Sequence, residues 1–160
     1  DAVAADLAKR GLTVARHSLN EPVRPEVDVL LGDTIGDMGL YLRLTEIAFM
    51  GRSMTAEGGQ NPIEPAMLET AVLSGENVQN FRDTYTQLVE GGGAGLVKDR
   101  DELASAVSYL LNNNAARHKM GAAAFATVEE MRGALDRTLR ALDPFIHPLV
   151  VKARLEGGYN

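Results

Sequence analysis

Ile47-Ala-Phe-Met-Gly-Arg-Ser-Met-Thr-Ala-Glu-Gly-Gly-Gln-Asn-Pro-Ile-Glu-Pro-Ala66 passes from a buried-strand pattern, through a glycine-rich loop, into a helix start. Ile47–Met50 is the unbroken apolar run that parallel strands covered on both faces carry. Asn61 is placed to cap a helix whose first position suits Pro62. Gly58 and Gly59 allow backbone amides to turn outward with no Cβ in the way. Free N–H groups at a helix start, with the positive end of the helix dipole behind them, make residues 58–63 a phosphate or carboxylate site. That site would lie beyond the carboxyl end of a strand, where open α/β sheets take their ligands. A plain loop and helix start fits the same residues equally well. Glu64 has two readings: reaching back to the Asn61 amide in a capping box, or contacting a ligand.

The rest of the chain alternates in the same way. Residues 2–10 read as a helix stopped by Gly11. Leu12–Arg16, Val27–Leu31, Ala71–Ser74 and Leu96–Lys98 read as strands, Val27–Leu31 as a buried one. Gly36–Thr45 suits a short, well-buried helix, and Gln79–Glu90 an amphipathic one with Phe81, Tyr85, Leu88 and Val89 on its apolar side. Asp99 followed by Glu102 signals the start of a helix running to Asn112. A long helix follows from Asn114 to about Leu142, weakened at Gly121 and Gly133, with Pro144 expected to break it before a last helix at Phe145–Leu155 and a frayed EGGYN tail. Strands alternating with helices at this spacing predict an α/β fold with one parallel sheet flanked by helices. No internal repeat and no second domain is visible.

Composition narrows the function classes. The hydrophobic and charged shares, 45% and 24%, are those of a globular chain with a core. A net charge of −6 gives no basic footprint for nucleic acid, so an anionic ligand must be held by local features. The absence of cysteine excludes disulfides, thiolate metal sites and cysteine nucleophiles. His17, His118 and His147 are too scattered for a zinc motif, and no apolar run approaches the roughly 20 residues of a spanning helix. The chain does not begin with Met and opens inside a helical pattern, so it reads as a fragment.

Two further strand-to-helix loops carry glycine and polar residues. In Gly32-Asp-Thr-Ile-Gly-Asp-Met-Gly39, backbone groups around Gly36 could meet a base or ring, although Asp33 or Thr34 capping the next helix is the simpler reading. In Gly75-Glu-Asn-Val-Gln-Asn-Phe-Arg82, Asn80 and Arg82 could reach a polar ligand, although an exposed helix start with a surface arginine explains them too. In series along one sheet, the three loops should converge on one edge. His118, Asp136, Arg137 and Arg140 read as solvated helix faces; Met38, Met50, Met54 and Met67 read as packing residues.

These motifs, in this order, resemble the C-terminal domain of bacterial 3-deoxy-D-manno-octulosonic acid (Kdo) transferases. Gly32–Tyr41, Ala48–Ser53, Gly58–Ala66, Asn80-Phe-Arg82, Gly93-Ala-Gly95 and Met131–Leu139 all fit, so the resemblance covers roughly residues 1–142. It implies a GT-B enzyme, with two Rossmann-like domains and the active site between them. Such an enzyme moves Kdo from CMP-Kdo to a lipid A precursor in lipopolysaccharide synthesis, with inversion and without a bound metal or other cofactor. Residues 1–160 would be a partial CMP-Kdo-binding domain, with 143–160 a helical tail. The donor residues implied are Gly36, Asp37, Met38, Ser53, Gly58, Gly59, Gln60, Asn61, Glu64, Asn80 and Arg82. Of these, the 58–61 loop would take the phosphate, Glu64 the ribose hydroxyls, and Ile35–Met38 the cytosine.

The resemblance places no catalytic residue in this chain, since the general base belongs to the other domain. It implies a location on the cytoplasmic face of the bacterial inner membrane, with the membrane surface and lipid acceptor met by the absent half. Two positions depart from the family pattern: Gln60 stands where His is usual, and Arg52 where Gly is usual. The Pro-Arg-His type segment and the first strands of the domain are also missing, so a raw sheet edge, marginal stability and self-association of the fragment are expected. Two other classes remain open on the residues alone: a GT-B enzyme using a UDP-sugar, and a non-catalytic α/β module that binds no nucleotide.

Overall fold

The structure, a computed structural model, describes residues 2–156, with the backbone alone at 134–136 and 148–156. It resolves into two compact units, Asp1–Thr45 and Glu46–Asn160.

The first unit contains helix α1 (Ala2–Lys9), strands β1 (Val14–Arg16) and β2 (Val29–Leu31), and helix α2 (Met38–Arg43). Gly11, at φ +80°, lets the chain turn so that the N–H groups of Gly11 and Leu12 donate to the carbonyls of Ala8 and Leu7, at 2.9 and 3.2 Å. β1 and β2 pair in parallel, Val14 opposite Val29 and Arg16 opposite Leu31. Burial here is thin. Leu30 is exposed, only Leu42 of α2 is buried, and Met38, Leu40 and Leu44 face solvent. The apolar run and the short helix therefore form where expected without the burial expected of them. Met38 is not a packing residue in this unit.

Asp33 clamps the unit's polar loops. Its carboxylate accepts from the Ser18 amide at 2.9 Å, the Ser18 hydroxyl at 2.7 Å, and Arg16 Nε and a terminal Arg16 nitrogen at 2.9 and 2.7 Å. The Ser18 amide and hydroxyl, then Arg16, hold its pKa far below the ordinary carboxylate value. An unfolded aspartate titrates near about 3.9, so the clamp's contribution is complete above that pH and is lost as pH falls toward the depressed folded value. Asp33→Asn is expected to lower Tm at neutral pH, with the gap to wild type closing as the buffer is taken below about pH 4. Melting curves across that range check it, and a gap that does not change with pH counts against the clamp.

The second unit is a three-stranded parallel sheet in the order β3 (Ile47–Met50), β4 (Ala71–Ser74), β5 (Ala94–Leu96). Helices α3 (Ile63–Met67), α4 (Arg82–Glu90), α5 (Arg100–Asn112) and α6 (Asn114–Glu156) accompany it. β4 is central and buried at every residue. Strand alternation divides its side chains between two clusters. Val72 packs with Ala66, Val78, Tyr85, Leu88, Ala94, Ala124 and Val128; Ala71 and Leu73 pack with Leu110. The α5 cap is as the sequence predicts: Asp99 accepts from the Asp101 and Glu102 amides at 2.9 and 2.8 Å. Glu102 reaches back one residue further than a capping box would, to the Lys98 amide at 2.9 Å.

Four expectations are corrected. Among the described residues the strands make two parallel sheets rather than one, because β1 pairs with β2 and β3 with β4, and no ladder joins the sets. β3, expected to be buried, is an edge strand with Phe49 38% exposed. The last small strand lies at Ala94–Leu96, two residues earlier than expected, with Val97 donating to the Ser74 carbonyl at 2.8 Å. α6 continues through Pro144; that stretch is exposed, so water can solvate the carbonyl deprived of a partner. The described residues end at 156, so the expected frayed tail beyond it, and the side chain of Asp136, lie outside them.

Candidate functional site

The loop after β3 and the loop after β4 are bonded into one structure at the carboxyl end of the sheet. Ser53 is fully buried between them: its hydroxyl donates to the Met50 carbonyl at 2.5 Å and accepts from the Gly75 amide at 2.8 Å. The Asn77 amide donates to the Ser53 carbonyl at 2.9 Å, and the Asn77 side chain to the Met54 carbonyl at 3.1 Å. Further along, the Asn80 amide donates to the Gly58 carbonyl at 3.2 Å, and the Gly58 amide to the Gln79 side chain at 3.1 Å. The Gly59 amide donates to the Arg52 carbonyl at 3.1 Å, and the Tyr85 phenol to the Gln60 carbonyl at 3.0 Å.

This bonding corrects the anion cradle expected at 58–63. The Gly58 and Gly59 amides are directed into the protein. The amides of Gln60, Asn61 and Glu64 have no partner among the described residues, and those three residues are exposed. The helix starts one residue later than expected: Pro62 holds the cap position of α3, and Asn61 precedes it in a turn where its side-chain oxygen accepts from the Ile63 amide at 3.1 Å. Glu64 makes no return bond to the Asn61 amide, so the capping box is absent and its carboxylate is free to point outward. α3 has only five residues, so its dipole is small. Ser53, implied as a donor residue, has its hydroxyl committed to the loop backbone, which makes it a structural lock.

Asn80 and Arg82 lie at the start of α4 with exposed side chains; the expected continuous helix over Gln79–Glu90 instead opens with a 3-10 turn at Gln79–Phe81. A Cβ on Gly58 would stand 2.8 Å from the Asn80 side-chain nitrogen, so Asn80 lies directly against the glycine loop. Gln79, Arg82 and Tyr85 also line a cavity of about 350 Å³ with Val78, Val89 and Leu96. Arg52 adopts φ +54°, a left-handed conformation in which glycine is at ease and other residues are strained. That is a physical reason for the glycine that the resemblance leads one to expect there.

Gly36, Asp37 and Met38 belong to the first unit and form their own polar group. Gly36 is at φ +100° and exposed. Asp37 holds the cap position of α2, its carbonyl accepting from Leu40 and Tyr41 at 2.9 and 3.2 Å, while Thr34 donates to its carboxylate at 2.5 Å. Neither Asp33 nor Thr34 caps the helix, contrary to the simpler reading of that loop. Tyr41 bonds to His17 Nδ1 and lies 3.2 Å from the Thr34 hydroxyl. His118, expected to be solvated, is exposed but sits 3.6 Å from Glu46, which Arg117 also holds at 2.9 Å. Among the described residues no group of three His, Asp or Glu side chains converges as a metal ion would require.

The sequence reading missed Gln79, Tyr85 and Asn77 as loop-holding residues. Tyr85 was visible only as part of an apolar stripe. Its hydroxyl was the available signal, since a buried tyrosine needs a polar partner.

Fold and site together define a Rossmann-like α/β protein: parallel strands, flanking helices, and a glycine-rich loop with unpartnered amides at the carboxyl edge of the sheet. No protein-family model matches the chain. The 3-deoxy-D-manno-octulosonic acid transferase of Haemophilus influenzae is 37% identical over 146 residues, covering 90% of this chain and 34% of that protein. The transferase of the same name from Bordetella pertussis is 37% identical over 148 residues, covering 91% and 34%. A crystal structure described as the C-terminal CMP-Kdo binding domain of WaaA from Acinetobacter baumannii shares the fold. It matches with a TM-score of 0.73 and 21% identity, covering 76% of this chain and 64% of that one. The chain belongs to the 3-deoxy-D-manno-octulosonic acid transferase family. It spans about a third of the length of the relatives it matches.

Proposed function

We propose that this chain is the donor-binding part of a Kdo transferase, holding CMP-Kdo while Kdo passes to a lipid A precursor in lipopolysaccharide synthesis. The observation that carries the reading is 37% identity to two such transferases along nine-tenths of the chain. That match runs through the loop whose Gln60, Asn61 and Glu64 amides have no partner among the described residues. In this reading the outward amides receive the donor's phosphate and stabilise the charge that grows as CMP departs. Glu64, free of any cap role, takes the ribose hydroxyls. Asn80 and Arg82 stand near the donor. The acceptor hydroxyl's proton goes to a carboxylate outside this chain, so the chain alone transfers nothing. The whole enzyme works at the cytoplasmic face of the inner membrane, where its lipid acceptor lies.

Calorimetric titration of the chain with CMP and with UDP tests this. CMP is expected to bind, UDP much more weakly, and Glu64→Ala to weaken CMP about tenfold, a loss of about 1.4 kcal/mol. Binding of UDP in preference to CMP, or of neither, would overturn the reading.

A further inference from the structure

We propose that Tyr85 is a positioning residue that aims the Asn61 amide outward, with Gln79 as its helper on the same loop. The inference rests on the donor-loop reading above. A trans peptide points its C=O and N–H in opposite directions. The Gln60 carbonyl and the Asn61 amide share one peptide unit, so drawing that carbonyl inward onto the Tyr85 phenol, at 3.0 Å, turns the Asn61 N–H outward. Gly58 and Gly59, at φ +111° and +69°, leave the preceding backbone with little preference of its own. The direction of the loop must therefore come from bonds, and two of these come from side chains of the 79–85 segment. Gln79 holds the Gly58 amide at 3.1 Å, and Tyr85 holds the Gln60 carbonyl.

Tyr85 suits the task because its ring is anchored. It is 1% exposed, and its cluster includes Ala66, Val72, Val78 and Leu88. Burial raises the phenol's pKa above its ordinary value, with the Ser74 hydroxyl pulling the other way. The group thus stays protonated and able to donate throughout the neutral range. A residue of the hydrophobic core is in this way the one that orients a surface peptide.

Tyr85→Phe keeps the ring and removes only the donor. Its Tm is expected to stay near wild type, because water can replace the phenol at the exposed loop. Exchange of the hydrogen-bonded Gly59 amide should accelerate, the Asn61 amide resonance should shift as its peptide turns, and the Kd for CMP should rise about 3- to 10-fold, the scale of one net hydrogen bond. Gln79→Ala, at an exposed position where folding is not at stake, should move the Gly58 amide and CMP affinity in the same directions. If wild type binds CMP and both variants bind it equally well, the positioning role is wrong. If wild type binds no CMP, the donor-loop reading fails. The Asn61 amide resonance then decides this inference on its own: a resonance unmoved in Tyr85→Phe overturns it, and a shift confined to the loop supports it.

Discussion

Gly121→Ala is expected to destabilise the Glu46–Asn160 unit by about 3 kcal/mol, the upper end of what overpacking a core contact costs. Helix propensity alone argues the opposite sign, since alanine is favoured over glycine inside a helix by about 1 kcal/mol. Space decides the matter. A Cβ at position 121 would lie 1.9 Å from the Glu69 carbonyl oxygen and 2.8 Å from its carbon. Glu69 cannot easily yield: it sits at φ +55°, its amide donates to the Ala66 carbonyl at 3.1 Å, and the next amide, Thr70, donates to Pro65 at 3.0 Å. Nor can α6 move away cheaply, because Ala124 and Val128 on the same stretch are 0% and 1% exposed against the core. Gly133→Ala supplies the contrast. There a Cβ meets only the end of the Arg137 side chain at 3.4 Å, and alanine should stabilise by a few tenths to about 1 kcal/mol. Denaturant unfolding of the two variants checks both signs. A stable Gly121→Ala protein would mean that α6 does not approach the α3–β4 turn this closely.

The same glycine shows how far sequence reasoning reaches. Read along the chain, Gly121 is a weak point in a helix. Only the packed structure reveals it as a contact point, because close approach depends on which backbone arrives opposite. Local signals were legible wherever the physics is local. The Asp99 cap and the Gly11 stop need only neighbouring residues to act, and both are found. Strand positions were legible from apolar runs, but their partners were not, since Ile47–Met50 reads as a buried strand and Ala71–Ser74 only as a strand, while the second is the central one. At the candidate loop, sequence reads Gly58 and Gly59 as outward amides, and the structure bonds both to neighbouring residues. Gly58 and Gly59 were natural choices for bare N–H groups, yet a positive φ frees the backbone without fixing where it points. Gln79 and the Arg52 carbonyl, outside that local run, set the direction. The bonds of the Ser53 and Tyr85 hydroxyls were not legible for a related reason, since they act across the loops rather than along the chain.

Gly75→Ala is the second large effect expected, and it ties stability to the site. Here the problem is space rather than φ: a Cβ would lie 2.1 Å from the Ser53 carbonyl oxygen, 2.4 Å from its carbon and 2.8 Å from the Met54 amide. Accommodating it means pushing the 53–54 peptide away from the loop after β4. That movement breaks the bond from the Gly75 amide to the Ser53 hydroxyl and the bond from the Asn77 amide to the Ser53 carbonyl. We expect a loss of about 3 kcal/mol of stability and, in the folded fraction, CMP affinity lowered by at least about tenfold, because the Gly58–Asn61 segment is held from the same 75–82 loop. Ser53→Ala removes the hydroxyl without adding bulk and should cost about 1–2 kcal/mol while binding falls less. Measuring both variants below their melting points separates the two effects. A Gly75→Ala protein that is less stable yet binds CMP like wild type would place the nucleotide away from this loop, since no rearrangement at Ser53 could leave the outward amides of Gln60 and Asn61 where a phosphate needs them.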